Sequence, residues 1–84
     1  MILSVEDTRR SKIIKIDVNE KHQIESIINV VVKHMGVISS EQRSYTLVYH
    51  GKELPNTISI RDAVDKFGLK ENDTLQLWAK VIGG

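Results

Sequence analysis

Gly83 and Gly84, which follow Val81-Ile82 and a strand-like run from Thr74 to Lys80, have the clearest potential for chemistry in this 84-residue sequence. Glycine carries no Cβ, so a Gly-Gly end can thread in extended form through a narrow slot and bring its carboxylate to a reacting centre. The same dipeptide also arises as a frayed end or a cloning remnant, so the rest of the chain must decide. Other reactive constellations are missing. There is no cysteine, which excludes disulfides, zinc thiolate sites and thiol catalysis. His22, His34 and His50 show no metal-ligand spacing. Gly51-Lys52 lacks the upstream glycine and the following Ser or Thr of a phosphate-binding loop. No Ser-His-Asp arrangement or paired carboxylates can be argued, and Asp62 and Asp65 read as solvated helix charges. No metal and no cofactor is expected, and the chain is not expected to be an enzyme.

Composition agrees. Hydrophobic residues make 40% of the chain and charged residues 27%, ordinary values for one globular domain. A chain this short buries about two-thirds of its unfolded surface at most, which leaves little depth for an active-site cleft and favours a binding module. A net charge of +1 supplies neither a basic field for nucleic acid nor an acidic tail. No apolar run nears the ~18 residues that span a bilayer, and Met1-Ile2-Leu3-Ser4 lacks the features of a signal peptide. The expectation is a monomer in the cytoplasm, with no nucleic-acid or membrane partner.

The elements that must position the tail follow from periodicity. Met1, Leu3 and Val5 alternate with Ile2, Ser4 and Glu6, and after a polar turn from Glu6 to Ser11, Ile14, Ile16 and Val18 alternate with Ile13, Lys15 and Asp17. Two antiparallel strands are expected. Ile24, Ile27, Ile28, Val31 and Met35 then recur at helical spacing on one face. Val30-Val31-Val32 has poor helix propensity, but the periodic stretch is too long for a typical strand, and Gly36 suits a C-cap. Val37 to Ser44 reads as a loop, Tyr45 to His50 as a strand, Gly51-Lys52 as a turn and Glu53-Leu54 as a short strand. Ser59 is the expected N-cap of a short helix through Phe67, ended by Gly68. Lys70 to Asp73 is a turn before the last strand, in which Leu75, Leu77 and Ala79 alternate with Gln76, Trp78 and Lys80.

This order gives a two-layer α+β domain over residues 1–80 with a tail at 81–84. The helix covers one sheet face. The opposite face, expected to carry Ile2, Lys12, Val48, His50, Gln76, Trp78 and Lys80, meets solvent or a partner. Trp78 there is a candidate binding anchor, unless it only packs on neighbours such as Lys12 or Lys80.

Order, spacing and local strings together resemble ubiquitin and its relatives, the β-grasp modifier family, over the whole chain. The most specific parts are Tyr49-His50-Gly51-Lys52-Glu53-Leu54, similar to the family's aromatic-x-Gly-Lys-x-Leu turn, and Leu69 with Thr74-Leu75-x-Leu77 followed by Gly83-Gly84. Met1, Leu3 and Val5 also resemble the family's first strand. About one extra residue in the first hairpin, three before the third strand and four around Asp62 to Phe67 mark a divergent relative. The resemblance implies a β-grasp roll, a mixed sheet packed on one main helix.

It also implies a mechanism. An activating enzyme adenylates the terminal glycine carboxylate, the acyl group passes to cysteine thiols, and an isopeptide bond forms on a target lysine. Adenylation installs a good leaving group, so thiol attack becomes feasible. Gly84 would be the electrophile and Gly83 its slender neighbour. Lys80 resembles a basic residue that contacts the activating enzyme, while Ile82 stands where ubiquitin has arginine, which suggests dedicated enzymes. Val48, Trp78, Gln76 and the Thr8-Arg9 turn resemble the family's recognition patch. Lys52, one of eight lysines, resembles its chain-forming lysine in position, although a turn lysine is more often just a solvated charge. The implied partners are activating and conjugating enzymes, a protease for the Gly-Gly tail, and protein targets. Two other readings remain open: a sulfur carrier with a terminal thiocarboxylate, and a non-conjugated adaptor that binds through the Val48 and Trp78 face.

Overall fold

The alternation in the first eighteen residues forms a hairpin: β1 (Ile2–Asp7) pairs antiparallel with β2 (Lys12–Asp17), Leu3 opposite Ile16 and Val5 opposite Ile14. The computed structural model describes residues 1–35 and 43–81, with the backbone alone described at 43, 80 and 81. Asp7 organises the turn between the strands. Its carboxylate accepts from the Arg9 amide at 3.0 Å and pairs with Arg10 Nε at 3.9 Å. That explains how an acidic side chain only 5% exposed is tolerated.

The helical periodicity becomes α1 (Ile24–His34), with Ile24, Ile27, Ile28 and Val31 buried. Burial overrides the low propensity of the valine run. Met35, in right-handed conformation, holds the cap position, and Gly36 lies outside the described residues. Next come β3 (Arg43–Tyr49), β4 (Lys52–Leu54), α2 (Ile60–Phe67) and β5 (Thr74–Val81). The sheet order is β2-β1-β5-β3-β4, with β1 and β5 parallel and the other pairs antiparallel. Among the described residues the result is a mixed five-stranded sheet with two helices, an α+β domain. Its core joins Leu3, Val5, Leu47, Leu75 and Leu77 from the sheet to Ile24, Ile27 and Val31 from α1 and Ile60 and Ala63 from α2.

Several boundaries differ from expectation. β3 starts at Arg43, inside the stretch read as a loop, because Arg43 and Ser44 pair with Val81 and Lys80. The same ladder carries β5 one residue into the stretch read as tail. The β3–β4 turn is His50-Gly51, one residue earlier than expected: Tyr49 pairs with Lys52, and both turn residues have positive φ, 50° and 78°. That is the geometry of a two-residue hairpin loop that follows the right-handed strand twist. His50 is therefore a turn residue rather than a strand residue. Lys12 is also reassigned. It pairs with Asp7 and shares the parity of Ile14 and Ile16, so it belongs to the helix-covered side of the sheet.

At α2 the expected caps form. The Ser59 hydroxyl accepts from the Asp62 amide at 3.2 Å, the Asp62 carboxylate accepts from the Ser59 amide at 3.4 Å, and Gly68 closes the helix at φ 77°. Asp62 is thus half of a capping box, not merely a solvated charge.

Candidate functional site

The outer sheet face is built by strand parity. Leu75 and Leu77 are buried, so Gln76 and Trp78 of β5 face outward. The ladders then align Ile13, Glu6, Gln76, Val48 and Glu53 in one row across all five strands. Ile13 and Val48 stand three strand spacings apart, about 14 Å. Trp78 lies one step along β5 from this row, directly opposite Thr46. Trp78 is 48% exposed, whereas Thr46 is 5% exposed. Trp78 Nε1 donates to Gln76 Oε1 at 3.2 Å, so Gln76 restrains the ring and satisfies its single polar atom. A surface aromatic restrained in this way offers contact area at low entropic cost.

Val48, Gln76 and Trp78 are therefore brought together as expected from the sequence. Thr8 is exposed in the β1–β2 turn, one residue beyond Asp7, which pairs with Leu77. His50 stands apart from the row; its ring packs edge-on against Tyr49, centroids 4.2 Å apart. Lys52 is exposed at the start of β4, opposite Tyr49. The Lys80 backbone pairs with Ser44. Ile82, Gly83 and Gly84 lie outside the described residues. Ile13, 60% exposed, belongs to the face and was not singled out from sequence. Its signal was an isoleucine at the solvent parity of its strand.

A polar knot closes one edge of the domain. The Tyr49 hydroxyl donates to Asp73 Oδ2 at 2.5 Å and lies 3.1 Å from the Gly68 carbonyl oxygen, while the Lys70 amide donates to the same Asp73 oxygen at 2.8 Å. The tyrosine hydroxyl, then the Lys70 amide and the charges of His50 and Lys70, hold the Asp73 carboxyl below the usual range, against an opposing effect of burial. The hydrogen bond to that carboxylate, then burial, pushes the Tyr49 phenol up. The knot is an anchoring arrangement that ties the end of α2 to the sheet. Among the described residues no group of three or more His, Asp or Glu side chains could hold a metal ion, and no helix is long and apolar enough to cross a membrane. No protein-family model matches the chain, and no curated protein matches it either.

Proposed function

We propose that this chain is a β-grasp protein modifier of the ubiquitin-like kind, whose Gly84 carboxyl is activated by a separate enzyme and joined to target lysines. The observation that carries the reading is the position of β5. It is the central strand, paired parallel with β1 and antiparallel with β3, and it leads in sequence directly to Ile82-Gly83-Gly84. β1 pairs with β5 as far as Leu77, and the ladder with β3 continues to Val81, which fixes the root of the tail. The three residues after Val81 can reach at most about 10 Å when extended, and the two glycines would pass through a slot that excludes side chains.

The chemistry would run in three displacements. A Gly84 carboxylate oxygen attacks the α-phosphorus of ATP and pyrophosphate leaves. An enzyme cysteine thiolate then attacks the acyl carbon and AMP leaves. A lysine amine finally attacks the thioester, the thiolate departs, and an amide remains. The modifier is substrate throughout, which suits a chain without cysteine. The face with Val48, Gln76 and Trp78 would be read by the partner enzymes and by proteins that recognise the conjugate. The protein would act as a cytoplasmic monomer without a cofactor of its own. The chemistry is the same for a chain encoded to end at Gly84 and for one cleaved after it.

The decisive experiment is mass spectrometry of tagged protein expressed in its native host. Trypsin cuts after Lys80, so a conjugated target lysine would carry Val-Ile-Gly-Gly, and Gly83→Val should abolish such adducts. A terminal thiocarboxylate, heavier by the sulfur-for-oxygen difference, would replace this reading with sulfur carriage. A free carboxylate with no adducts in any growth condition would leave the adaptor.

A further inference from the structure

A groove of about 730 Å³ lies between the end of β2 and α2 and shares no lining residue with the Trp78 row. That volume is in the range of ligand sites. Its floor is apolar: Val18 and Ile60 are buried, and Met1 and Val64 are half-buried. Both walls are fixed by hydrogen bonds. The Val18 amide donates to the Met1 carbonyl at 2.8 Å and the Met1 amine to the Val18 carbonyl at 2.9 Å, while the Ile60 and Arg61 amides donate to the His22 and Glu20 carbonyls at 2.8 and 3.1 Å. The segment between the walls is tied as well. The Asn19 amide donates to His22 Nδ1 at 3.1 Å and the Lys21 amide donates to Asn19 Oδ1 at 2.9 Å. A groove whose walls are already ordered costs a partner little on binding.

Charge and hydrogen bonding select the occupant. Asp17, Glu20 and Asp65 stand exposed on the rim, and the cations against them are the Met1 amine, 3.3 Å from Asp17, and Arg61, 4.0 Å from Asp65. Lys21 does not line the groove. Glu20 makes no ion pair among the described residues, so the rim carries one negative charge that the fold leaves uncompensated. The rim also carries free donors. His22 Nδ1 accepts from the Asn19 amide, so the ring proton sits on Nε2, and a single long contact to Asp65 leaves most of the Arg61 guanidinium donors unused. An occupant must therefore bring a cation, acceptors and apolar surface together. A free polyamine has no acceptors, and a second copy set groove to groove would place carboxylates against carboxylates. We infer that this groove binds an extended basic segment of another protein: the aliphatic stem of a Lys or Arg lies over Val18, Ile60 and Val64, its cation reaches Glu20, and neighbouring main-chain carbonyls accept from His22 and Arg61. A long basic side chain suits an apolar floor with an acidic rim because its stem and its head prefer different surroundings. The site does not depend on conjugation through Gly84, so the two readings stand or fall separately.

The test is an NMR titration of the isotope-labelled full chain with a capped synthetic peptide, Leu-Lys-Leu-Arg-Leu. The expected result is saturable shifts confined to Met1, Asp17 to His22 and Ile60 to Asp65, an affinity that falls with added salt, and weaker binding both of spermidine and of an acidic peptide with Glu in place of the two basic residues. Glu20→Lys, at an exposed position, should weaken the basic peptide by about tenfold and strengthen the acidic one, while the spectrum of the free protein stays dispersed. Asp65→Lys, exposed on α2, should shift the preference in the same direction. Shifts centred on Val48 and Trp78, equal affinity for the basic and acidic peptides, spermidine binding as tightly as the peptide, no saturation at millimolar peptide, or full affinity in both variants would each overturn the assignment.

Discussion

The two helices are held by different means. α1 buries four residues and has no side-chain N-cap: Gln23 occupies the cap position without bonding through its amide. α2 is three residues shorter and buries Ile60 and Ala63, but it has a capping box and a left-handed glycine stop. Yet their N-termini meet. The Ile24 and Glu25 amides donate to the Ile58 and Asn56 carbonyls at 2.9 and 3.0 Å, and the Ile60 and Arg61 amides donate to the His22 and Glu20 carbonyls at 2.8 and 3.1 Å. The segment leading into each helix thus satisfies two of the other's orphan donors. A helix with enough buried face can therefore dispense with a local cap, because tertiary approach can bring backbone carbonyls in its place. The shorter α2, with less buried area, receives the same tertiary carbonyls and has caps written in its own residues besides.

This contrast can be broken by mutation. Ile24→Ala removes a fully buried side chain from the helix that depends on burial, and urea denaturation should show a loss of about 2–5 kcal/mol. A loss below about 1 kcal/mol, outside that range, would mean that α1 is held by something other than its buried face. Gly68→Ala tests the other helix. A Cβ there would meet nothing within 4 Å, so the cost is conformational alone, arising from φ 77°, and about 1 kcal/mol is expected.

The cap pair sharpens the contrast further. Ser59→Ala should cost about 1 kcal/mol, while Gln23→Ala should stay within about 0.5 kcal/mol, both read from denaturant midpoints at unchanged slope. Equal losses would show that the reciprocal backbone bonds hold the N-termini of both helices and that the capping box adds little.

The smallest effect joins the end of α2 to the sheet. Tyr49→Phe removes the hydroxyl that holds Asp73 ionised, so the stability difference from wild type should depend on pH. Asp73 is lowered in the fold, so its contribution is complete above its ordinary value of 3.8 and is lost as pH falls through the lowered folded value. Tyr49 is raised, so its contribution is complete below 10.0 and is lost as pH rises through the raised folded value. Thermal melts of both proteins should differ most on the plateau between these limits and converge outside them. A difference that stays constant from strong acid to neutrality would show that Asp73 takes no part.

Most of the architecture could be read locally. Period-two alternation in residues 1–18 and 74–80, the helical spacing of Ile24 to Met35, and the pairing of Ser59 with Gly68 each express a preference of neighbouring residues, and each element formed where its pattern lay. The Val48-Gln76-Trp78 part of the outer face was legible for the same reason, since parity along a strand fixes which face a side chain takes. Boundaries were less legible. Arg43, Ser44 and Val81 joined strands because they found partners across the sheet, and His50 left its strand because the two-residue turn needed its left-handed conformation.

What the sequence determined by itself, then, is every property set within a few residues: element type, side-chain parity, caps, and the absence of thiol chemistry. Only the tertiary structure decided which distant segments share a surface. The mutual capping of α1 and α2, the Tyr49–Asp73 hydrogen bond, the row that adds Ile13 to Val48, and the groove between β2 and α2 all depend on sheet order and register. Those arise from contacts across many residues, whose closure cost and partner choice leave no periodic trace in the chain.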